Sequence, residues 1–437
     1  MSSGKEKKRV LIVVYYWPPS GGGGVQRWVK FAKYLNEFGW EPIIYAPENA
    51  DYPVMDRSIS GDVDDNLEVI TRKIWEPYSI YNKLSGSKDQ KAHAGLISDG
   101  KKRSWLSSKM LWIRGNWFIP DARKFWIKPS VKFLCNYLSE NPADAIISTG
   151  PPHSMHLIAR NVKRRTGVRW LADFRDPWVH MDNNIEDLMY SDRTLKKHQE
   201  MEMSVLKEAD RVVTVSYTIV EDYEKQSGRK VDLITNGYDP SDFDFSELEK
   251  KDKFIIGHFG TLGKYRNPEV MFKVLGAICA ENSDFKNKMV IQLAGTVDGS
   301  VLNSIHKEGL DQNLDLQNYL SHSESIKLMM KSSLLLLLLD KNASMKGRMT
   351  GKIFEYLATN NPILGLGYTL ADPSRVLKKT KAGEIFEYED YDSIKSFILE
   401  KFNQDLTLSP NNTSEIENYS RQNLSEQLAS LLSEMVS

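Results

Sequence analysis

Four consecutive glycines after an apolar run are the first feature of this chain that could bind a ligand. In "VLIVVYYWPPSGGGGVQRW", they separate a strand-like run from a helix-like stretch that begins at Val25. Amides at the start of a helix attract anions, and without Cβ atoms a phosphate or sugar can approach the backbone. The loop lacks the third glycine of a dinucleotide fingerprint and the Gly-Lys-Ser/Thr of a P-loop. We therefore predict that Gly22, Gly23 and Gly24 face a ligand, with a flexible turn as the alternative.

A second group of candidates follows a later apolar run, in "STGPPHSMHLIAR" (148–160). His153 comes directly after two prolines at the end of that run, and His156 follows three residues later. Such a pair on a helix could bind a metal, but no third ligand is evident nearby, and a helix cap with a core contact is the alternative. We predict that His153 is a catalytic candidate and that the protein has no metal site.

A third group lies in "WLADFRDPW" (170–178), where Asp173, Arg175 and Asp176 crowd the end of another apolar run. Charges at this density after a buried strand are costly unless they are paired or used. One carboxylate could orient or deprotonate an acceptor hydroxyl, and we predict catalytic roles for all three residues. A structural pair between an aspartate and the arginine is the alternative.

Two loops in the second half concentrate positive charge. "HFGTLGKYRNPE" follows an apolar run, and "KGRMTGKIFEYLATNNPILGLG" leads into a helix that ends at an Asn-Asn-Pro turn. Cations and helix amides can clamp a diphosphate, and a glutamate one turn into the helix can accept hydrogen bonds from ribose hydroxyls. Solvated surface charges are the alternative for each cation alone. The residues predicted to bind a nucleoside diphosphate donor in these loops are Thr261, Lys264, Arg266, Arg348, Gly351, Lys352 and Glu355. Gly22, Gly23 and Gly24 of the first loop are predicted to bind the same donor.

These residues can form a site only if the fold brings the ends of several strands together. The pattern of apolar runs predicts such a fold. Seven short apolar runs alternate with helix-like stretches through the first half, and six more follow. Runs that are apolar on both faces and separated by helices predict doubly wound parallel sheets, in which ligands bind beyond the carboxyl ends of the strands. The sequence thus predicts an α/β protein of two Rossmann-like domains, joined near the polar stretch 236–253. An amphipathic helix with Leu424, Leu428, Leu431 and Leu432 on one face is predicted at the end of the chain.

Composition and charge narrow the functional classes. The 437 residues suggest two or three domains, and the net charge of zero argues against a general nucleic-acid-binding surface. Cys135 and Cys279 show no metal or redox spacing, which predicts reduced thiols in a cytoplasmic protein. The leucine run at 334–339 is too short to span a membrane and fits a buried parallel strand.

A basic and aromatic segment interrupts the alternation of strands and helices. Residues 101–133 carry nine Lys or Arg side chains against one acid, with Trp105, Trp112, Trp117 and Trp126 interleaved. Such a mixture suits an anionic membrane surface, although stacking on single-stranded nucleic acid would use the same residue types. An aromatic core with a solvated basic rim is the structural alternative.

Taken together, these stretches resemble the GT-B glycosyltransferases of glycosyltransferase family 4 over nearly the whole chain. The resemblance rests on "YYWPPSGGGGVQRWVKFAKYL", "TGPPHSMH", "DFRDPW", "ADRVVTVSYTI", "LITNGYD", "GTLGKYRNPE" and "TGKIFEYLATNNPIL". It implies two Rossmann-like domains facing a cleft, with a last helix that crosses back to the first. It implies an acceptor-binding domain at 1–245 plus helix 415–437, and a domain at 246–414 that binds a nucleotide-diphosphate sugar. It also implies retention of anomeric configuration and no required cofactor or metal.

Single residues carry over from the resemblance by position. Glu355 matches the second glutamate of the family's paired-glutamate motif, which binds ribose, and Lys352 matches the basic residue common in the same helix. The first glutamate of the pair would lie eight residues earlier, where this chain has Gly347. An arginine expected after the first strand of the second domain is replaced by Thr261. The stretch "DFRDPW" lies where many members place a histidine near the sugar.

The function predicted from the sequence is transfer of a sugar from a nucleotide-sugar to an acceptor hydroxyl. The acceptor is predicted to be a glycan or lipid-linked intermediate of cell-surface polysaccharide synthesis, reached at the inner membrane face through 101–133, with no nucleic acid as partner. One enzymatic alternative is a metal-dependent GT-A transferase that uses the "DFD" at 242–244. Another is a nucleotide-sugar epimerase of the same fold, and a third is a catalytically degenerate binding subunit.

Overall fold

The computed structural model describes residues 7–52, 54–56, 58–76, 109, 112–113, 115–179, 190–247, 252–318, 320–404 and 413–437. The chain divides into two compact units. Unit 1 comprises residues 1–235 and 424–437, and unit 2 comprises residues 236–423. Cys135 and Cys279 are both free thiols and partly buried.

Unit 1 is built on a parallel sheet of seven strands. They are β1 (Lys8–Val13), β2 (Trp40–Pro47), β3 (Glu68–Arg72), β4 (Ala145–Gly150), β5 (Arg169–Phe174), β6 (Arg211–Thr214) and β7 (Asp232–Leu233). Their order is β3-β2-β1-β4-β5-β6-β7, and every pair is parallel. The order reverses between β1 and β4, so the loops after these strands lie at the switch point where such sheets bind ligands.

Unit 2 repeats this arrangement with six strands. They are β8 (Phe254–Phe259), β9 (Met289–Ala294), β10 (Leu314–Gln317), β11 (Leu334–Leu338), β12 (Ile363–Leu366) and β13 (Gly383–Phe386). Their order is β10-β9-β8-β11-β12-β13, again all parallel. The switch point falls between β8 and β11, which the two basic loops follow. All the strands predicted from the apolar runs are present, and the predicted α/β class with two doubly wound sheets is confirmed.

Helices cover the sheets within each unit. Unit 1 has α1 (Gly23–Leu35), α2 (Lys124–Glu140), α3 (Ser154–Thr166), α4 (Asp192–Glu208) and α5 (Tyr217–Ser227) among its described residues. The described helices of unit 2 are α6 (Glu269–Glu281), α7 (Ser283–Lys288), α8 (Gly299–Lys307), α9 (His322–Lys331), α10 (Lys352–Ala358), α11 (Asp372–Thr380), α12 (Tyr391–Asn403) and α13 (Thr413–Glu417). The last helix is α14 (Arg421–Val436).

The core of unit 1 lies on both faces of its sheet because successive strand side chains point to opposite sides. Leu11 and Val13 of β1 pack in a cluster that includes Leu134 of α2 and Ile158 of α3. Val10 and Ile12 point the other way, into a second cluster with the apolar face of α1. The two faces are therefore covered by different helices, and the strand ends stay free to carry loops.

Helix α14 closes the second of these clusters. Leu424, Leu428 and Leu432 are fully buried beside residues of β1 and α1, and Leu431 is partly buried against the same cluster. The amphipathic face predicted at the end of the chain therefore packs into the core of unit 1.

The basic and aromatic segment has several environments in the part that the structure describes. Trp126 is buried and stacks on Tyr45 with ring centroids 4.9 Å apart, whereas Trp117 is 68% exposed. Arg123 is inside the unit, where its Nε lies 3.0 Å from Glu76 Oε1. Residues 101–108, 110–111 and 114 of the predicted membrane-facing segment lie outside the described residues. None of the described helices is both long enough and apolar enough to cross a membrane.

Candidate functional site

The loop after β1 presents bare backbone at two of its glycines. A Cβ on Gly22 or Gly23 would meet no atom within 4 Å. Gly22 also has a φ of +106°, a conformation that side chains rarely adopt. A Cβ on Gly24 would collide with the guanidinium of Arg175. Of the three glycines predicted to face a ligand, Gly22 and Gly23 are open, and Gly24 instead makes room for an arginine.

Arg175 links the loops that follow β1, β4 and β5. Its amide donates to the Gly150 carbonyl at 3.0 Å, and its guanidinium donates to the Pro151 carbonyl while packing on Gly24. Burial lowers the pKa of Arg175, and the neighbouring Asp176 and Asp173 oppose that shift. The group remains a cation because an arginine side chain does not lose its proton at any ordinary pH. Arg175 and Asp176, both partly buried, are the charged pair at this edge of the sheet.

Asp173 points away from the loops into the core. It is fully buried, with Oδ1 3.0 Å from a guanidinium nitrogen of Arg27 and Oδ2 accepting from Trp28 Nε1 at 3.0 Å and Thr149 Oγ1 at 2.8 Å. Arg27 also donates to the backbone carbonyls of residues 234 and 235. This placement makes Asp173 the counterion that ties α1 to the sheet. Since no part of its carboxylate is accessible, we do not carry its predicted catalytic role forward.

His153 and His156 lie one turn apart in an aromatic stack, in which His156 is fully buried and His153 is partly buried. The His153 ring stacks on Trp178 at 4.6 Å, and the His156 ring stacks on Phe174 at 4.3 Å. His156 shares a hydrogen bond of 2.9 Å between its Nδ1 and Ser148 Oγ. Burial lowers the pKa of His156 to about 3 and the pKa of His153 well below its usual value. Both imidazoles are therefore neutral at pH 7, and His156 makes the core contact given above as the alternative to metal binding.

In unit 2, Lys352 fills space above the loop that follows β8. Gly260 has a φ of +115°, and a Cβ there would collide with the Lys352 ammonium. His258 lies below, fully buried, and its Nδ1 is 3.0 Å from the Leu336 carbonyl oxygen. Burial, Lys352 and Arg266 together lower the pKa of His258 to about 3. The cation thus sits over a bare backbone and a neutral imidazole.

Lys352 and Arg266 are two cations that repel each other, and Glu355 is the carboxylate that acts on the lysine. Burial and the repulsion of Arg266 lower the pKa of Lys352 to about 8, although Glu355 favours its charged form. The Arg266 guanidinium also reaches the Thr261 carbonyl at 3.5 Å. An anion between the two cations would remove this repulsion. Lys352 and Arg266 are therefore candidates for binding an anion beside the Gly260 backbone.

Glu355 lies one turn into α10, as predicted. His322 lies near it, and Asp242 lies on the other side of His322. His322 Nδ1 is 4.0 Å from Glu355 Oε1, and His322 Nε2 is 3.6 Å from Asp242 Oδ2. Burial raises the pKa of Glu355, while His322 and Lys352 act in the opposite direction. Glu355 is thus a partly buried carboxylate held between a histidine and a lysine.

The other predicted donor-binding residues have different surroundings. Lys264 is exposed, with its Nζ 4.7 Å from the Tyr265 ring, and Thr261 is exposed in the same loop. Arg348 is exposed and forms an ion pair of 3.1 Å with Asp340. Gly351 caps α10 at its N-terminal end and leaves open space around its Cα. Among these predicted residues, Lys352 is therefore the one that interacts with both Arg266 and Glu355.

The described part of the chain contains no candidate metal-binding site. No group of three or more His, Cys, Asp or Glu side chains is arranged there to hold an ion. The two aspartates of the "DFD" triplet have separate partners, since Asp242 faces His322 and Asp244 accepts from the Ser246 amide at 2.9 Å.

Sequence reasoning missed His322 and Arg27. His322 comes soon after β10, and residues after parallel strands were the sites that the argument searched, so its position was the available signal. Arg27 gave no signal, because its partner Asp173 is 146 residues away in the chain. Asp242 was noticed only as part of a triplet and not as a neighbour of Glu355.

The comparisons with known proteins decide the fold. No family model matches the chain and no curated protein matches it. A glycosyltransferase from Rickettsia africae ESF-5 superposes with a TM-score of 0.61 at 13% identity, covering 99% of this chain and 100% of its own. The fold is GT-B.

Two further GT-B structures were solved with nucleotides. Anabaena HepE in complex with UDP-glucose has a TM-score of 0.58 at 13% identity, covering 98% of this chain and 100% of its own. A variant of S. aureus TarM in complex with fondaparinux, alpha-GlcNAc-glycerol and UDP has a TM-score of 0.57 at 12% identity, covering 97% and 99%. At such identities the likeness establishes the fold, and function has to be argued from the sites.

Proposed function

We propose that this GT-B protein is a glycosyltransferase that moves a sugar from a nucleoside diphosphate sugar to an acceptor hydroxyl. The observation that carries the proposal is the cationic pair of Lys352 and Arg266 beside the bare backbone of Gly260, with Glu355 on the same helix as the lysine. Such a pair fits a diphosphate, and a carboxylate beside it fits the ribose hydroxyls of a nucleotide. We assign donor binding to unit 2 and acceptor binding to unit 1.

The cations would act on the leaving group. When the bond between the anomeric carbon and the diphosphate breaks, negative charge grows on the diphosphate, and fixed positive charge stabilises it without reorganisation. Lys352 and Arg266 supply that charge from the protein itself. Lys264 is exposed and adds positive charge in the loop that contains Arg266, whereas the charge of Arg348 is balanced by Asp340. We therefore propose a reaction that needs no metal ion.

Glu355 would bind the nucleotide through its ribose. An ionised carboxylate accepts hydrogen bonds from two vicinal hydroxyls, and Lys352 and His322 favour that ionised form against the effect of burial. His322 lies between Glu355 and Asp242, which positions the carboxylate while the donor enters. Glu355→Gln keeps the shape of the side chain but removes its negative charge, so it should weaken binding of the nucleotide.

The acceptor side would use the loops at the switch point of unit 1. Gly22 and Gly23 leave room for a sugar to lie against the backbone. Arg175, Asp176 and His153 are the polar groups at the ends of β4 and β5. His153 is neutral, and it can exchange a hydrogen bond with an acceptor hydroxyl but does not supply positive charge.

The solved neighbours support the choice of donor class. HepE was solved in complex with UDP-glucose, and the TarM variant in complex with fondaparinux, alpha-GlcNAc-glycerol and UDP, so the same fold binds uridine diphosphate compounds in those proteins. The motifs of glycosyltransferase family 4 lead us to propose retention of anomeric configuration and a lipid-linked glycan of surface polysaccharide synthesis as acceptor. The basic segment 101–133, in which Trp112 is exposed, leads us to propose a peripheral position at an anionic membrane.

A panel of nucleoside diphosphate sugars tests this function. A true donor stabilises the folded protein by mass action, so one member of the panel should raise the melting temperature well above the others. The stabilising donor is then incubated with the protein and glycan acceptors, and the product is analysed by NMR for its anomeric configuration. A new sugar formed without any acceptor would instead indicate an epimerase, and binding without turnover across acceptors would indicate a degenerate subunit.

The membrane part has its own test. Flotation with vesicles of phosphatidylcholine, with and without phosphatidylglycerol, measures whether the protein binds anionic lipid. Binding that increases with the anionic lipid supports the peripheral position. Equal flotation with both compositions would contradict the peripheral position at an anionic membrane. It would not affect the proposed transfer reaction.

A further inference from the structure

Unit 1 contains a cavity that the proposed reaction does not use. It has a volume of about 480 Å³ and lies among α2, α3, α4 and the segment that precedes α2. The side chains that matter are those of Trp117, Lys124, Arg160, Lys197, Glu200 and Ser204. This volume is within the range of pockets that bind small molecules.

The cavity carries an excess of positive charge. Lys124, Arg160 and Lys197 line it against a single carboxylate, Glu200. None of these four side chains forms an ion pair with another residue among those that the structure describes. Three cations around one carboxylate repel one another, and an anion placed among them lowers the energy of all three.

Arg160 is the cation whose position in the cavity lining is fixed by a hydrogen bond and by partial burial. Its guanidinium donates to Ser204 Oγ, while its Nε is buried with no hydrogen-bond partner among the described residues. Burial and the repulsion of Arg164 lower the pKa of Arg160, although Glu208 opposes the shift, and burial also lowers the pKa of Lys124. Both shifts show that positive charge is held here at a cost, which a bound anion would offset.

Trp117 gives the cavity an apolar wall. Its side chain is 68% exposed although it lines the cavity, and its carbonyl accepts a hydrogen bond from the Lys124 ammonium. A sugar ring presents a face of C–H groups that packs on an indole, while its substituents remain free to bind polar groups. An indole beside three cations therefore matches a ring that carries an acidic group.

The cavity is attached to the loop that follows β4. Asp121 accepts from the amide and hydroxyl of Ser154 at 2.9 and 2.8 Å, which fastens the segment before α2 to the first residue of α3. Arg160 lies six residues further along α3, roughly 9 Å at the rise of an α-helix. His153 immediately precedes the helix. An extended ligand could therefore reach from this cavity to the switch point of unit 1.

We propose that this cavity binds an acidic sugar unit, a saccharide ring that carries a phosphate or carboxylate group. The ring lies against Trp117, and the acidic group is held by Lys124, Arg160 and Lys197. Resting on the proposed function, we assign this unit to the acceptor, at a distance from the hydroxyl that is glycosylated.

Fluorine NMR of the protein labelled with 5-fluorotryptophan tests the proposal, with the Trp117 resonance assigned from Trp117→Phe. Glucose 6-phosphate and glucuronate should shift that resonance, while glucose and inorganic phosphate should bind about tenfold more weakly, because each supplies half of the contacts. Arg160→Gln should weaken glucose 6-phosphate about tenfold, and the exposed Lys197→Gln about threefold. Glu200→Gln should strengthen binding, since it removes a repulsive charge.

Lys196→Gln is the matched control, because Lys196 is an exposed neighbour on α4 that does not line the cavity. The proposal is overturned if neither acidic sugar shifts Trp117, if glucose or inorganic phosphate binds as tightly as glucose 6-phosphate, or if Lys196→Gln weakens binding as much as Lys197→Gln. A response to anionic vesicles alone would also overturn it. A titration with nucleoside diphosphate sugars reports separately on the proposed function, because it requires only the residues of unit 2.

Discussion

At the scale of single residues, Lys352 is held where its charge is unfavourable. Burial and the nearby Arg266 lower its pKa to about 8 from an ordinary value of 10.5. Active sites commonly keep such strained charges, because a ligand of opposite sign relieves them. A donor diphosphate would do so here, and it would raise the pKa of the lysine on binding.

This placement predicts that Lys352→Met stabilises the empty protein at pH 7. The unfolded chain keeps the lysine protonated up to about pH 10.5, whereas the folded chain releases the proton near pH 8. The free energy of unfolding of the wild type therefore gains a contribution that rises with pH between these values, and the variant lacks it. Urea denaturation at pH 7 and pH 10 should show the variant more stable at pH 7 by a margin that shrinks at pH 10.

Lys346→Met serves as the control, because Lys346 is exposed and close in sequence. It should leave the free energy of unfolding within about 0.5 kcal/mol at both pH values. A Lys352→Met protein that is less stable than the wild type at pH 7 would show that the lysine is structurally compensated and that the strain does not exist.

Removing the charge of Asp173 should lower the stability of the protein, whereas removing the charge of Lys352 should raise it. Asp173→Asn keeps the side-chain volume but leaves the fully buried guanidinium of Arg27 without its counter-charge. Removing one partner of a buried pair costs about 3–5 kcal/mol, which chemical denaturation would detect readily. Asp222→Asn, at an exposed position on α5, should change stability by no more than about 0.5 kcal/mol. A loss of activity with unchanged stability in Asp173→Asn would restore its catalytic role.

At the scale of elements, the sequence predicted the strands well and the pairing of loop residues poorly. The five leucines of β11 are all buried, as an apolar run in a central parallel strand requires. Local pattern identifies such a strand because both of its faces are covered. The partner of Asp173 depends on how α1 packs across the sheet, and the position of His322 beside Glu355 depends on how α9 and α10 lie relative to each other. Neither is encoded in a local pattern.

In the loop after β1, substitutions of Gly23 and Gly24 should have different effects on activity and stability. Gly23→Val adds a side chain into open space at the first residue of α1, so the fold should be unaffected. If the loop faces the sugar and acceptor, transfer should fall by more than about tenfold while nucleotide binding in unit 2 changes little. The measurement is the rate of sugar transfer alongside the dissociation constant of the nucleotide.

Gly24→Ala provides the comparison within the same loop. Its Cβ would displace the Arg175 guanidinium, so the melting temperature of the protein should fall, unlike that of Gly23→Val. A Gly23→Val protein with full transfer activity would mean that no ligand passes over this loop. Equal loss of nucleotide binding and transfer would place the loop in the donor site instead.

At the scale of the whole molecule, the end of the chain is part of the first unit. Leu428 is buried in the cluster that also contains Val10 and Val29. Leu428→Ala should lower the free energy of unfolding by about 2–5 kcal/mol, as for other leucine truncations in cores. Glu426→Ala, at an exposed position on the same helix, should have an effect of no more than about 0.5 kcal/mol. Similar values for the two variants would mean that α14 does not stabilise unit 1.

The GT-B fold alone leaves the activity open, because one architecture supports many chemistries and the three solved structures described above share 12–13% identity with this chain. The residues of unit 2 carry the functional argument. A cationic pair, a bare backbone and a carboxylate lie together at the switch point of its sheet. That combination is what a nucleoside diphosphate sugar requires.

Calorimetric titration of the wild type and Lys352→Met with nucleoside diphosphate sugars tests this claim most directly. At least one of UDP-glucose, UDP-N-acetylglucosamine, GDP-mannose, ADP-glucose and dTDP-glucose should bind the wild type. Lys352→Met should weaken that ligand by about 1.5–3 kcal/mol, the range for hydrogen bonds to charged groups, while Lys346→Met binds as the wild type does. Equal affinity of Lys352→Met and wild type for the bound nucleotide-sugar, or binding of none of them, would contradict the account.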